Sequence, residues 1–315
     1  MLRLTVIVPA TDAPDTLERC LDAIRAAEEP PEEVVVVERA RRPGPAAARN
    51  EGARRAAGAV LVFVDSDVVV HRDVFSRFRR AFDADPGLAA VFGSYDDSPP
   101  APGSVSGFRN LLHHWVHHES AGPAETFWAG LGAIRKGAFE AVGGFDERRF
   151  PRASIEDVEL GLRLAATGRR IVLDPTIQGT HLKAWTLGSM VETDLLRRGA
   201  PWVAELTRRG GGSSALNLHL RHRLSAAASV LLAWGLFRRR PGTAAAGGLA
   251  LVALNGRFYL LLARRRGPRE AVVGVGLHAL HHLTAVAAVP IGVARGLSEG
   301  AVRGRPSSAR DRGRA

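Results

Sequence analysis

The fold class is indicated most clearly by one segment, Val60-Leu-Val-Phe-Val-Asp65-Ser-Asp67-Val-Val-Val70. Five apolar, mostly β-branched residues run directly into Asp65-Ser66-Asp67. A short, continuous apolar run of this kind is typical of a buried strand in a parallel sheet. In open α/β sheets, ligands bind beyond the carboxyl ends of the strands. Two carboxylates at that edge would provide the hard oxygen donors that a divalent cation on a diphosphate requires.

A plainer interpretation of the same residues is a strand that ends in a solvated turn, since Asp and Ser are common in turns. The neighbouring segments decide between the two interpretations. Further apolar strands are predicted at 4–8, where Pro9 ends the run, and at 33–37, where Glu38 follows. Helices are predicted at 17–24 and 46–57, so the order is β-α-β-α-β. This order indicates an α/β fold with a mainly parallel, Rossmann-like sheet flanked by helices on both faces.

The charge of the chain is concentrated in its C-terminal part. The 315 residues carry a net charge of +11, and the excess of arginine lies after Arg197. These arginines border apolar segments and have few aromatic residues among them, which favours a membrane surface with its lipids over nucleic acid as a partner. Cys20 is the single cysteine, so an intrachain disulfide is impossible and a reducing compartment is expected.

Composition divides the chain into four parts. We predict a catalytic domain at 1–207, a Gly- and Ser-rich linker at 208–223, a membrane-associated region at 224–296 and a disordered basic tail at 297–315. The membrane-associated region contains apolar segments at about 225–237, 243–263 and 271–294. Because about 20 apolar residues span a bilayer, we expect two or three transmembrane or interfacial helices there. A soluble helical subdomain is the alternative.

Several motifs, taken in order, resemble the family 2 glycosyltransferases, which have the nucleotide-diphospho-sugar transferase fold. The motifs are Val6-Ile-Val-Pro9, Ala48-Arg-Asn-Glu-Gly52, Phe63-Val-Asp-Ser-Asp67, Gly143-Gly-Phe-Asp-Glu147 and the later Glu156-Asp157. The resemblance covers roughly residues 3–205, and the membrane-associated members of the family from bacteria are the most similar in organisation. The order and spacing of the motifs carry the resemblance more than any one of them does.

The resemblance implies a donor site for a nucleoside-diphosphate sugar. The residues predicted to bind it are Pro9, Glu38, Arg49, Asp65 and Gly130. Asp67, with Asp65, would hold a divalent cation, Mg²⁺ or Mn²⁺, and His181 is a further ligand or else a core histidine. Arg49 is alternatively a solvated residue on a helix. The family's usual Asp-Asp-Gly-Ser is replaced here by Glu38-Arg39-Ala40-Arg41, which leaves the preferred base open.

The resemblance also implies the catalytic and acceptor residues. Asp157 would be the general base that takes the proton of the attacking hydroxyl, and Glu156 would help to orient the acceptor. A plainer interpretation is a capping box, with Ser154 as the N-cap and Asp157 at the third helical position. Trp128, Arg198 and Trp202 are predicted on the acceptor side. We do not infer a processive polymerase from them.

Four histidines lie on one predicted helix. His113 and His117 are four residues apart, as are His114 and His118, so each pair would share a face. A zinc site is conceivable, although the segment has neither a cysteine nor a His-Glu-x-x-His pattern. A polar acceptor-binding or interface helix is the favoured interpretation.

Together these features predict a metal-dependent, inverting glycosyltransferase at the cytoplasmic membrane, with its catalytic domain facing the cytoplasm. The expected acceptor is a lipid-linked sugar or a polysaccharide of the cell envelope. The alternative is a membrane-anchored binding or scaffold protein with a degenerate transferase domain. A nucleic-acid-binding protein is a third possibility, but it rests on charge alone, and no nucleic acid partner is predicted.

Overall fold

The computed structural model describes residues 2–12, 14–210 and 220–303. Its strands are β1 (Leu4–Pro9), β2 (Glu33–Val37), β3 (Val60–Val64), β4 (Val68–Val70), β5 (Leu88–Tyr95), β6 (Gly122–Ala124), β7 (Leu131–Arg135) and β8 (Arg170–His181). Its helices up to residue 208 are α1 (Leu17–Arg25), α2 (Pro45–Arg55), α3 (Val74–Ala84), α4 (Ser104–Glu119), α5 (Lys136–Ala141), α6 (Glu156–Ala166), α7 (Leu187–Glu192), a π-helical segment (Thr193–Gly199) and α8 (Ala200–Arg208). Three longer helices follow: α9 (Leu220–Phe237), α10 (Pro241–Arg266) and α11 (Pro268–Arg303).

One sheet organises the first 181 residues. Its strand order is β2-β1-β3-β7-β5-β8-β4, with β6 paired to β8. The predicted α/β class, with flanking helices and C-terminal apolar helices, is confirmed. The predicted β-α-β-α-β unit forms the parallel part β2-β1-β3. The sheet as a whole is mixed, because β7 begins beside the end of β3, with Leu131 paired to Val64, and runs antiparallel to β3 and β5.

The two faces of the sheet carry separate apolar cores. On one face, α1 and α3 contribute Cys20, Ile24, Phe75 and Phe78, among others. On the other face, α2, α5 and α6 cover Phe63, whose ring packs against several other phenylalanines. The strands between them are apolar in both directions, as expected for strands buried on both faces.

The last strand runs past a proline. A proline commonly marks the end of a strand, but β8 passes through Asp174-Pro175 and continues to His181. The pairing of β8 with β5 shifts between Leu173 and Gln178, so Pro175 lies in an irregularity where its missing N–H breaks no ladder bond. The continuation pairs with β4, and α3 begins at Val74, shortly after β4.

α9 and α10 form an antiparallel hairpin. Gly235 lies against Ala244, and Gly247 lies against Leu232. The Asn255 side chain donates a hydrogen bond of 2.9 Å to the Ser225 hydroxyl, at the point where the backbone of α10 is kinked. Two described helices, α10 and residues 268–299 of α11, are long and apolar enough to cross a membrane by length and composition.

All three C-terminal helices lie against the first 208 residues or against one another. Phe258 of α10 is fully buried and packs on Phe108 of α4, and Arg265 forms an ion pair with Asp97. Residues 211–219, in the middle of the predicted linker, lie outside the described residues. α11 continues to Arg303, so the helix enters the segment that the sequence predicted as a disordered tail from residue 297. The rest of that predicted tail is not described.

Small residues form a close seam between α11 and α8. A Cβ atom at Gly292 would lie 2.4 Å from Val203 Cβ, and one at Gly296 would lie 2.7 Å from Thr207 Cβ. Beyond the seam, Glu299 of α11 forms ion pairs with Arg149 and Arg208. The seam therefore fixes the second half of α11 to the part of the chain that contains the sheet.

We predict that alanine substitution changes the free energy of unfolding in opposite directions at two glycines of α11. Gly292→Ala should lower the free energy of unfolding by about 1–3 kcal/mol, because the new methyl group overpacks the seam. Gly276→Ala should raise it by up to about 1 kcal/mol, because a Cβ there meets no atom within 4 Å and alanine favours the helix. Thermal unfolding of the detergent-purified variants measures both effects. Equal stability of the two variants would show that the seam is not tightly packed.

Candidate functional site

The carboxyl ends of three parallel strands meet at one edge of the sheet. Pro9 pairs with Val37, and Ile7 pairs with Phe63, so the residues that follow these strands are neighbours. Pro9 is buried, Glu38 is exposed directly after β2, and Asp65 directly follows β3. The structure thus brings three of the predicted donor-site positions to this edge.

Arg49 of α2 holds two carboxylates together below this edge. Its Nη2 donates to Asp65 Oδ1 at 2.7 Å, and its Nη1 donates to Glu156 Oε1 at 3.0 Å. The side chain is buried, and its guanidinium lies 5.6 Å from the centre of the Phe145 ring. Arg49 is therefore not a solvated residue on a helix, and its charge is already bound to protein carboxylates.

The surroundings of Asp65 are strongly negative. Burial raises the pKa of Asp65, and the Arg49 guanidinium partly offsets this rise. Burial, with the charges of Asp65 and Asp67, also raises the pKa of the Cys20 thiol to about 12. The same two carboxylates add to the effect of burial in raising the pKa of Tyr95. A positively charged ligand at this place would relieve the repulsion.

Pairing between β4 and β8 brings Asp67 to His181. Val68 pairs with His181, and the Leu182 N–H donates to the Asp67 carbonyl at 2.9 Å. His181 Nε2 then lies 3.3 Å from Asp67 Oδ2. Burial opposes ionisation of Asp67, but the hydrogen bond and charge of His181 lower its pKa overall. The unexpected length of β8 is thus what places this histidine at the edge.

Asn110 and Tyr95, which the sequence analysis did not identify, set the orientation of His181. His181 Nδ1 lies 2.7 Å from Asn110 Oδ1, while Asn110 Nδ2 donates to the Lys183 carbonyl at 3.2 Å. The Tyr95 ring stacks on the imidazole with centroids 4.1 Å apart. Because Asn110 Oδ1 accepts, the network assigns a proton to Nδ1. Nε2 can then donate to Asp67 when the ring is charged, and in a neutral ring it would be free to bind a cation, as in histidines that bind metals.

The donor set suits a divalent cation that is shared with a substrate. Among the described residues, no group of three or more His, Cys, Asp or Glu side chains forms a complete metal cage. Asp67 and His181 are adjacent, and Asp65 shares its carboxylate with Arg49. Mg²⁺ and similar ions commonly take one or two carboxylates and complete their shell with phosphate oxygens and water. The residues present therefore fit Mg²⁺ or Mn²⁺ on a diphosphate.

Asp157 lies at the N-terminus of α6. Its Oδ2 accepts from the Ala129 N–H at 3.2 Å, and its Oδ1 accepts from the Val158 N–H at 2.8 Å. Gly130, next to Ala129, accepts a hydrogen bond from the Asp65 N–H at 3.0 Å. The start of β7 thus links the Asp157 carboxylate to the end of β3.

The predicted capping box is absent. Ile155 precedes α6, and Ser154 makes no capping bond. The Ser154 hydroxyl donates instead to the Arg197 carbonyl at 2.7 Å, and its N–H donates to Glu156 Oε2 at 2.8 Å. Since Glu156 receives Arg49 on its other oxygen, both of its oxygens are occupied. The capping box does not form because the Ser154 hydroxyl is bonded to the π-helical segment and not to the first turn of α6.

The pKa of Asp157 is raised to about 6. Burial is the main cause and the Glu156 charge adds to it, while Arg49 and Arg198 oppose the shift. A carboxylate with a pKa near neutrality is ionised at pH 7 and still basic enough to accept a proton. These properties suit a general base.

Trp128 and Gly130 occupy one side of the site. The half-buried Trp128 ring packs against Tyr95 and His113, with centroids 4.8 Å and 4.7 Å apart. A Cβ at Gly130 would lie 2.4 Å from this indole ring. Glycine is therefore required here by the tryptophan, and no ligand contact is needed to explain it.

Arg198 and Trp202 lie on the π-helical segment and on α8. Arg198 is exposed, and it is near enough to Asp157 for its charge to lower the pKa of that carboxyl. Trp202 is half-buried one helical turn further on, and no contact in the described part of the chain places it against Asp157. Asp194, which the sequence analysis did not identify, fixes the π-helical segment. Its carboxylate lies 2.7 Å from Arg109 Nη2 of α4 and 2.7 Å from His281 Nδ1 of α11.

The four histidines of α4 are used in packing and hydrogen bonding. His114 Nδ1 donates to the Tyr95 carbonyl at 2.9 Å, and His117 Nδ1 donates to the Gly93 carbonyl at 3.0 Å. His113 packs against His117, and His118 packs against His114, with the rings of each pair tilted to one another. The zinc alternative is wrong for the described residues, which contain no group of ligands that could hold the ion.

The chain is similar in sequence to known glycosyltransferases. Residues 33–137 match the model of the family described as Glycosyl transferase family 2. The pre-mycofactocin glycosyltransferase of Mycobacterium tuberculosis is 29% identical over 231 residues, covering 68% of this chain and 44% of that protein. N-acetylglucosaminyl-diphospho-decaprenol L-rhamnosyltransferase of the same organism is 36% identical over 104 residues, covering 29% of this chain and 33% of that protein. The chain thus spans less than half the length of these curated relatives.

The chain also has a fold similar to that of solved glycosyltransferase structures. The mannosyltransferase PcManGT from Pyrobaculum calidifontis, solved in complex with GDP-Man and Mn²⁺, aligns with a TM-score of 0.49 and 18% identity. The alignment covers 95% of this chain and 88% of that chain.

We predict that Asp157→Asn stabilises the protein at alkaline pH. The folded-state pKa of about 6 lies above the ordinary value of 3.8, so the stability associated with the neutral carboxyl is lost as pH rises through 6. The variant should gain about 1–2 kcal/mol over the wild type at pH 8 and little at pH 4. Thermal unfolding at the two pH values measures this difference. Asp83→Asn, which alters an exposed carboxylate on α3, is the control and should change neither value.

We also predict a large loss of stability from Arg49→Met. Removing the guanidinium leaves the buried Glu156 carboxylate and the partly buried Asp65 carboxylate without their partner, which should cost about 3–5 kcal/mol. Arg54→Met on the same helix removes an exposed arginine that pairs with Glu51, and it should cost less than about 1 kcal/mol. Denaturant unfolding compares the two variants. A similar, small loss in both would mean that Arg49 does not organise the site.

Proposed function

We propose that this chain, whose residues 33–137 match the model of Glycosyl transferase family 2, transfers a sugar from a nucleoside-diphosphate sugar to a hydroxyl group of an acceptor. The observation that carries this proposal is the placement of Asp157. This half-buried carboxylate, with a pKa of about 6, is tied through Ala129 and Gly130 to the strand end that bears Asp65 and leads to Asp67. A base beside a candidate cation site is the arrangement that glycosyl transfer needs.

The donor would bind along the carboxyl edge of the sheet. Exposed Glu38 can accept hydrogen bonds from ribose hydroxyls, and Pro9 would lie near the base. Asp67 and His181, with Asp65, would hold Mg²⁺ or Mn²⁺ against the diphosphate. The cation would act as a Lewis acid that stabilises the charge developing on the leaving diphosphate. Gly130 would contribute indirectly, because the absence of a side chain there leaves room for the Trp128 ring beside this site.

Transfer is a single displacement that inverts the anomeric carbon. The acceptor oxygen attacks that carbon, the bond from the carbon to the diphosphate oxygen breaks, and the nucleoside diphosphate leaves. The acceptor's proton passes to the Asp157 carboxylate. Glu156 would position this base through Arg49 and the backbone at Ser154, since its own oxygens are occupied.

The acceptor would enter between Trp128 and the π-helical segment that carries Arg198. Exposed Arg198 can bind an anionic group, and an aromatic ring such as that of Trp128 or Trp202 can pack on a sugar face. One relative is named for a diphospho-decaprenol substrate. We therefore propose a lipid-linked or cell-envelope glycan acceptor, and a location on the cytoplasmic face of the cytoplasmic membrane, where the lipids contact α9–α11.

Calorimetry with UDP, GDP, dTDP and CDP, each with Mn²⁺ or Mg²⁺, tests the donor site of the detergent-purified protein. We expect one nucleotide to bind in a cation-dependent manner, and Asp67→Ala to abolish the cation dependence. Asp83→Asn should bind like the wild type. Failure of a folded protein to bind any of the four would favour the alternative function, a membrane-anchored scaffold, and would direct attention to Glu38-Arg39.

Release of the nucleoside diphosphate from the matching sugar nucleotide, with a bacterial lipid extract as acceptor, then tests the base. Asp157→Asn should keep nucleotide affinity and lose about 10²–10⁴-fold in rate, as expected for the loss of a general base. Full transfer by this variant, together with an inactive Asp67→Ala, would refute the assignment of Asp157.

A further inference from the structure

α11 has two unlike faces in its second half. Ala288, Gly292 and Gly296 face α8 across the seam. On the other side of the helix, four residues form an exposed apolar stripe with 37–63% of their surface accessible: Val286, Val289, Val293 and Leu297. Their spacing of three and four residues keeps them on one face of the helix. The stripe therefore lies outside the seam with α8 and is open to solvent.

α9 extends this apolar stripe. Val230, Leu231 and Trp234 are 41–52% exposed, and they line a groove of about 520 Å³ together with Val286. Helix α9 and the stripe thus form one continuous surface, which we call the apolar surface. An exposed apolar surface of this extent is unusual in a soluble monomer and marks a binding face.

None of the three helices is free to cross a bilayer. Beyond Asn255, α10 packs on α4 through Phe258 and Leu262, and α11 is bound to α8 as far as Glu299. The hairpin from Ser225 to Asn255 packs on α11 through Ala228, Leu251 and Ala279, and each of its arms has a length of about 20 Å at 1.5 Å per residue. The hydrocarbon core of a bilayer is about 30 Å thick, so the hairpin is too short to span it.

The arginines indicate how the hairpin lies. Arg238, Arg239 and Arg240 form its tip, and perpendicular insertion would bury all three in hydrocarbon at a high cost. At the other end of α9, exposed Arg223 lines the groove. With arginines at both ends and an apolar face between them, the hairpin matches a helix pair lying at the level of anionic headgroups. Arg265, in contrast, is bound to Asp97.

We propose that α9–α11 bind one leaflet of an anionic membrane through the apolar surface, without crossing it. The protein is then a monotopic membrane protein, with the hairpin tip and the sheet on the same side of the bilayer. This inference rests on the membrane location proposed above, but it does not depend on the transfer reaction.

Sidedness of labelling tests the topology in the full-length chain. Gly242→Cys places a thiol at the hairpin tip, where a Cβ meets no atom within 4 Å, and Ser98→Cys places one in an exposed loop before α4. Native Cys20 is buried and gives little background. In inverted membrane vesicles, a membrane-impermeant maleimide should label both positions equally. Labelling of Gly242→Cys only from the opposite side, or only after detergent, overturns the proposal.

Flotation with vesicles tests the occupant of the apolar surface. Val289→Glu and Val293→Glu should weaken binding to phosphatidylglycerol vesicles by at least tenfold, whereas Val34→Glu, at an exposed valine on β2, should have no effect. If the stripe variants bind vesicles normally but change a dimer into a monomer, a second copy of the chain covers the surface and the proposal fails. The stripe variants should bind nucleotides like the wild type. If nucleotide binding fails in the unsubstituted protein while vesicle binding is retained, the result contradicts the proposed donor site and leaves the membrane proposal standing.

Discussion

The buried ion pairs of Arg49 are the interaction on which the rest of the site depends. One guanidinium joins Asp65, at the end of β3, to Glu156, at the start of α6, across 107 residues of sequence between Arg49 and Glu156. Two carboxylates would not remain close together in a buried place without this cation, because their repulsion and loss of solvent would be uncompensated. Arg49 holds Glu156, the first residue of α6, beside the edge of the sheet. Asp157 follows Glu156 and is thereby held where it could accept the proton of an acceptor hydroxyl in the proposed reaction. In the proposed reaction the arginine would therefore act by fixing geometry, because its own charge is held by protein carboxylates.

The second constraint is the length of β8. Because this strand continues past Pro175 and pairs with β4, it carries His181 to Asp67 and brings the following loop over α4. There Asn110 and Tyr95 fix the orientation of the imidazole. Three separate parts of the chain therefore meet at the proposed cation site, which depends on strand pairing as much as on the identity of its ligands.

The first half of the fold could be predicted because its signals are local. Apolar runs, a proline and following carboxylates locate β1, β2 and β3, and the order of strands and helices implies their parallel pairing. The antiparallel insertion of β7 and the continuation of β8 were not predictable, since both depend on contacts between distant segments.

The site residues that the sequence analysis missed have the same explanation. Asn110 resembles any polar residue of a helix until His181 is known to lie beside it, and Asp194 gives no signal until α4 and α11 approach it from two sides. The motifs identified Asp157 through resemblance, whereas its raised pKa follows from burial that the sequence does not reveal.

The sharing of Asp194 between Arg109 and His281 has a consequence for how this chain can be divided. The two partners belong to α4 and α11, so the π-helical segment beside the reaction cleft is supported from both sides of the compositional boundary near residue 207. A shortened form without α9–α11 would lose one support of that segment and would expose Phe108 and Leu112 of α4, which are now buried. The sheet and the C-terminal helices are accordingly a single folding unit, in which the boundary marks a change of composition but not an end of packing.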